Sequence, residues 1–223
     1  MAKQSAKADE DTPAPPTGIN VTPFSLKKGE VLHRVHQSQY QADEFNPGTM
    51  GNARFSPIQN AEGNPIPTLY GGSTMDCALM ETVFHDVPHT NGFKSFAKEK
   101  LNGQVHSVVH VDADLELADL SSVSLRKMGV TRKQLIDTEK DQYPATRQWA
   151  VAIYQQFSDI QGLSWISRQD DTARAYVLFG DRIPPDTLLS AQASRSLLGD
   201  QNAYDQVVDL ANRIGVNIVP GVS

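Results

Sequence analysis

Apolar and polar positions alternate through residues 30–36, Glu-Val-Leu-His-Arg-Val-His, and this period of two predicts an early strand. The pattern then dissolves over residues 42–67, where Asn, Pro and Gly recur, and the segment reads as a long loop with brief extended pieces. A loop of that length inside a compact domain is often functional. Thr68-Leu-Tyr70 predicts a short strand, after which Gly71-Gly72 turns the chain and Ser73 is placed as a helix N-cap with Asp76 at the third helical position. The helix is expected to reach about His85. On it Met75, Ala78, Leu79, Thr82 and Val83 form an apolar stripe, and Glu81 and His85, four apart, share a flank beside it.

Further along, residues 105–111 read as a strand, and residues 115–120 lead into polar helices that end near Asp137 with Gly129 as a break. Tyr143-Pro144 starts a helix on which Trp149, Ile153 and Phe157 recur every four residues, with Gly162 as its stop. Residues 163–167 and 175–179 read as strands joined by a polar segment, and residues 202–214 as a helix stopped by Gly215. The irregular mixture of helices and strands argues an α+β fold rather than a regular parallel array, and no repeat or second domain appears. Two divisions are expected: residues 1–22 as a disordered tail, from the Ala, Pro and charge bias of its first 18 residues, and residues 23–223 as one folded domain.

Composition narrows the partners. Twenty Lys and Arg against 26 Asp and Glu give a net charge of −6, which excludes a broad electrostatic footprint for nucleic acid but not a small anionic ligand held by local arginines. The single Cys77 has no partner for an internal disulfide and sits in an apolar helical stretch, as a buried structural thiol would. The first residues lack the apolar core of a signal peptide, and no run approaches the roughly 20 apolar residues of a membrane span, so a cytoplasmic protein is expected. Oligomerisation is left open.

Against this background five polar residues stand out, each set in apolar or turn-forming sequence: Arg34, Arg54 in Gly51-Asn-Ala-Arg-Phe-Ser-Pro57, Tyr70, Glu81, and Ser167 closing Gly162-Leu-Ser-Trp-Ile-Ser167. Two cations, a carboxylate, a phenol and a hydroxyl suit a phosphate-bearing nucleotide or sugar. Taken singly, each also has a structural reading: an ion-paired surface arginine, a half-buried core tyrosine, a solvated helix glutamate, a strand-end hydroxyl. Ser167 lies in no G-x-S-x-G elbow and is read as a ligand-orienting hydroxyl rather than a nucleophile.

In the order, spacing and local context of these residues the chain resembles the RES-domain family, named for its Arg, Glu and Ser, over roughly residues 30 to 185. The resemblance implies a mixed sheet core similar to that of ADP-ribosyltransferases, and an enzyme that takes NAD as substrate rather than cofactor. It implies cleavage of the nicotinamide–ribose bond with water or inorganic phosphate as acceptor. On this reading Glu81, Arg54 and Ser167 are catalytic and Arg34, Tyr70 and His85 bind substrate: Glu81 stabilises the cationic ribose, the two arginines clamp the pyrophosphate, and His85 partners Glu81. The resemblance also implies a toxin restrained by an antitoxin with an Xre-like DNA-binding portion. The stretch between Arg54 and Tyr70 is longer than the family pattern.

No metal is expected. The near pairs His33/His36, His85/His89 and His106/His110 have the wrong spacings: four apart on a strand is roughly 13 Å, His33 and His36 fall on opposite faces, and Pro88 breaks any helix joining His85 to His89. No phosphate loop or G-x-G-x-x-G is present. Two other readings stay open. An ADP-ribosyltransferase acting on a macromolecule would use similar chemistry, though transferases of the Arg-Ser-Glu class place Ser before Glu, the reverse of the order here. A non-catalytic nucleotide-binding or interaction module would need only the loops and the acidic surface.

Overall fold

The computed structural model of the chain describes residues 11–48, 50–88 and 91–221. Along the chain the elements are β1 (Pro23–Leu26), β2 (Val31–Gln37), β3 (Thr68–Gly72), α1 (Met75–Thr82), β4 (Lys94–Ala97), β5 (Gln104–Val111), β6 (Leu115–Asp119), α2 (Ser122–Met128), α3 (Arg132–Leu135), α4 (Tyr143–Gln156), β7 (Gly162–Ile166), β8 (Arg174–Phe179), β9 (Leu188–Ser190), β10 (Arg195–Ser196), α5 (Gln201–Arg213) and β11 (Val216–Val219). The main sheet runs β1-β6-β7-β8-β3-β2-β5-β10, with β9 also on β5, and β11 pairs with β4 in a separate two-stranded ribbon. Within the main sheet β6 and β7 are parallel whereas β3 pairs antiparallel with β2 and β8, so the sheet is mixed and the architecture is the expected α+β single domain.

The sheet is buried on both faces, which follows from the period of two along its central strands. On β8, Val177 and Phe179 join a core layer with Trp149 and Ile153 of α4, while Tyr176 and Leu178 face the opposite layer with Leu32, Leu69 and Leu117. Trp149 and Trp165, 1% and 2% exposed, anchor the first layer. Burying an aromatic of this kind contributes roughly 1.5–3 kcal/mol. A third cluster sets Ala78 and Leu79 of α1 against Val207 and Leu210 of α5 and Phe96 of β4.

Several expectations shift. The N-cap of α1 is Thr74, whose side chain accepts from the Cys77 amide, so Asp76 is the second helical residue, and the helix ends at Thr82 with Val83 as its cap. His85 therefore lies in the following turn rather than one helical turn beyond Glu81, and Thr82 is exposed rather than part of a buried stripe. Gly162 does not stop α4, which ends at Gln156; it opens β7, where an added Cβ would lie 2.3 Å from the Val177 carbonyl oxygen. Only glycine allows that approach of β7 to β8.

Within the expected tail, the described residues depart from disorder. Residues 11–22 pack on the domain: the Trp149 indole donates to the Pro13 carbonyl at 2.7 Å, the Thr12 hydroxyl to the Gln134 carbonyl at 2.5 Å, and Ile19 is buried. Composition hid this because the segment forms no element of its own; prolines and one isoleucine lean on a surface supplied by α4. Residues 1–10, and His89 of the expected His85/His89 pair, lie outside the described residues.

Candidate active site

The site is assembled where β3 hands the chain to α1. At Gly72 an added Cβ would lie 2.9 Å from the Cys77 sulfur and 3.0 Å from its Cβ, so the glycine lets the first turn of α1 close on the strand. The Arg213 guanidinium pairs with Asp76 and ties that turn to α5. Glu81 occupies the last turn of α1, which contains no basic residue. A carboxylate there faces the negative end of the helix dipole, so helix stability does not account for its position.

Glu81 borders a cavity of about 390 Å³ whose lining includes Arg54, Tyr70, Thr82, His85, Tyr143 and Trp165, with Asn52, Asp86 and Lys140 at its edges and His33 from β2. Four of the six expected residues, Arg54, Tyr70, Glu81 and His85, thus meet around one space. Ser167 reaches it only through Glu81. Its side chain is fully buried, and its hydroxyl donates to Glu81 Oε1 at 2.7 Å while accepting from the amides of Gln169 and Asp170 at 3.0 and 3.1 Å. In this arrangement the Ser167 hydroxyl holds the Glu81 carboxylate in place. Arg132 fixes the strand end behind it, donating to the carbonyls of Ile166 and Ser167 at 3.1 Å each.

Arg54 is 5% exposed. Its Nη1 donates to the Ile136 carbonyl, its own carbonyl accepts from the Thr146 hydroxyl, and its guanidinium carbon lies 5.6 Å from the centroid of the Tyr143 ring. Among the described residues Arg54 Nε and Trp165 Nε1 are buried donors without a partner, and both side chains border the cavity. Tyr70 accepts from the Phe55 amide at 3.1 Å and stands edge-on to Trp165; burial pushes its hydroxyl up to about 12, so the phenol stays protonated.

His85 does not partner Glu81. Its Nδ1 binds Asp86 Oδ1 at 2.8 Å and its Nε2 the Tyr143 hydroxyl at 2.9 Å, while Lys140 holds the other Asp86 oxygen at 2.8 Å. The Lys140 bond holds the Asp86 carboxyl below its ordinary range. Asp86, Lys140 and Tyr143 were missed from sequence; the His-Asp doublet at 85–86 was the available signal, but nothing local brings residues 140 and 143 to it.

Arg34 lies next to this space. Its Nη1 donates to the carbonyls of Gln41, Ala42 and Glu44 at 3.1, 2.9 and 2.7 Å, and it borders an adjoining recess of about 180 Å³ that shares Asn52, Ala53 and Tyr70 with the larger cavity. Desolvation lowers its pKa to about 10. Arg34 thus holds the 41–44 loop, and of the two arginines Arg54 lines the larger cavity while Arg34 lines the recess beside it. Cys77 is buried and pushed up to about 12 by desolvation, which makes it an inert thiol. Among the described residues no three His, Cys, Asp or Glu side chains are grouped to hold a metal, and no helix is long and apolar enough to cross a membrane.

Comparison with known proteins bears on this arrangement. No curated protein sequence matches the chain. Among solved structures, the fold is similar to a chain of the M. tuberculosis MbcT-MbcA toxin-antitoxin complex, with a TM-score of 0.58 at 15% identity over 77% of this chain and 87% of that one. The RES domain profile matches residues 31–199, a span that holds Arg34, Arg54, Tyr70, Glu81, His85 and Ser167. The chain belongs to the RES domain family.

Proposed function

We propose that the protein cleaves the nicotinamide–ribose bond of NAD, with water or inorganic phosphate as acceptor. The observation that carries this reading is the Glu81 carboxylate, pinned by the Ser167 hydroxyl at 2.7 Å, beside a cavity with aromatic walls and the Arg54 side chain in its lining. In the reaction the bond from ribose C1′ to the nicotinamide nitrogen breaks and its electron pair leaves with neutral nicotinamide. Positive charge grows on C1′ and the ring oxygen, where a fixed carboxylate stabilises it. The acceptor oxygen then bonds to C1′ and loses its proton. Arg54 and Lys140 bring positive charge to the cavity for the pyrophosphate, and Tyr143 and Trp165 supply planar surfaces for a base.

Family membership and a fold shared with a chain of a toxin-antitoxin complex support a further part of the reading: a toxin acting in the cytoplasm, restrained by an Xre-like antitoxin that covers the cavity mouth. The test mixes purified protein with NAD and follows free nicotinamide, with the co-product, ADP-ribose or its 1-phosphate, identifying the acceptor. Glu81→Gln keeps the shape but not the charge and is expected to lose on the order of 3 kcal/mol of transition-state stabilisation, about a hundredfold or more in turnover. Absence of nicotinamide release from the wild type, release stoichiometric with labelling of a macromolecule, or full turnover by a folded Glu81→Gln would overturn the proposal.

A further inference from the structure

A row of three side chains, buried at its centre and half-buried at its ends, runs from the cavity into the sheet. His33 of β2 borders the cavity, and its Nδ1 lies 3.0 Å from His106 Nε2 on β5, the two ring planes being 13° apart. The other nitrogen of His106, Nδ1, lies 3.2 Å from Arg195 Nη2 on β10, and Arg195 sits directly across the strand pair from His106. The direction of the row is fixed at the arginine end. A guanidinium has donors and no acceptor, so His106 Nδ1 must accept and its proton must sit on Nε2. That proton is donated to His33 Nδ1, which must accept in turn, and the remaining proton of His33 is left on Nε2. Among the described residues His33 Nε2 has no hydrogen-bond partner, and it is not enclosed as a buried orphan.

We propose that His33 is a ligand-contacting residue of this cavity, held by His106 and Arg195 as a neutral histidine whose Nε2–H donates to an oxygen of the bound nucleotide. The identity of the ligand rests on the NAD reading above; the tautomer does not. The row resists protonation at both rings, because desolvation comes first and the adjacent Arg195 charge opposes a second cation; His106 is lowered to about 3 and His33 is lowered as well. A neutral donor suits a carboxamide, ribose or phosphate oxygen, and it keeps additional positive charge away from the ribose carbon, where it would oppose the cationic transition state. His106 and Arg195 act through His33 and are positioning residues.

Nitrogen-15 spectra of the full-length protein near neutral pH read the tautomers without any ligand. His33 and His106 are both expected with a protonated Nε2 and an unprotonated Nδ1, and His106→Phe is expected to release His33 into a mixture of tautomers. His33 protonated at Nδ1, or at both nitrogens, would overturn the proposal whatever the cavity binds. Binding is then measured by calorimetry with NAD in the Glu81→Gln background, where turnover does not interfere. Adding His33→Phe is expected to weaken NAD roughly five- to tenfold, the effect of one neutral hydrogen bond, and His33→Gln, which retains an N–H near the Nε2 position, to recover most of the loss. Unchanged affinity in folded His33→Phe, with NAD still bound by the parent, would overturn the contact while leaving the NAD reading intact. A parent protein that binds no NAD but shows the expected tautomers would overturn the NAD reading and the contact, and would retain the row.

Discussion

At the scale of single residues, the pair Glu81 and Ser167 decides how the site is understood. A buried serine whose hydroxyl donates to a carboxylate and accepts from two amides is fully committed, so it reaches substrate only by aiming Glu81. Ser167→Ala is expected to lower kcat about ten- to a hundredfold with KM little changed, since a hydrogen bond to a charged group is worth roughly 1.5–3 kcal/mol. The same substitution strands the amides of Gln169 and Asp170 and is expected to cost about 1–2 kcal/mol of stability. Steady-state kinetics beside a denaturant titration checks both parts. A raised KM with unchanged kcat would instead return the hydroxyl to the ligand, as the sequence alone suggested.

At the scale of elements, the two arginines part company because of what each neighbouring loop requires. Residues 41–44 present three carbonyls toward β2, and Arg34 Nη1 satisfies all of them, whereas Arg54 keeps an unmatched Nε beside the cavity. Arg34→Ala is expected to destabilise the fold by about 3 kcal/mol or more, by orphaning buried acceptors, and to leave NAD affinity little changed in protein that remains folded. Arg54→Ala is expected to weaken NAD in calorimetry about tenfold or more. Equal losses of affinity in both variants would support the two-arginine clamp. This division also marks how far the sequence was legible. Period and punctuation placed β2, β3, α1, β7 and β8 to within a few residues, and the start of α4 but not its end, because each carries its own apolar pattern and glycine or capping signals. They singled out Glu81, Arg54 and Tyr70, polar residues set in apolar or turn-forming sequence, which the structure brings around one cavity. They did not separate a ligand arginine from a loop-holding one, find β9 and β10, which are two or three residues long, or bring Tyr143 to His85 across 58 positions of chain, since these depend on tertiary contacts that leave no local trace.

At the scale of the whole molecule, residues 11–22 bind the domain along α4, the same helix whose first residue, Tyr143, walls the cavity. Pro13 accepts from the Trp149 indole, Pro16 accepts from Gln156, the Ile19 amide donates back to Gln156, and the Thr12 amide donates to Gln142 beside the helix start. Removing residues 1–18 leaves the Trp149 N–H, in a side chain 1% exposed, without its acceptor and opens the flank of the first core layer. The loss of that bond alone is expected to cost about 1–3 kcal/mol, and in a protein of this size each kcal/mol moves the thermal midpoint by roughly 2–4 °C. The truncated protein should therefore melt several degrees lower and show a raised KM, because Tyr143 and Lys140 lie at the helix start that Thr12 and Gln142 hold. Removing residues 1–10 alone spares every one of these contacts and is expected to leave the midpoint in place, which separates the strap from whatever precedes it. A truncation of residues 1–18 that melts with the full chain would mean that the strap adds nothing to stability, and α4 would then have to hold Tyr143 in the cavity wall by its own packing.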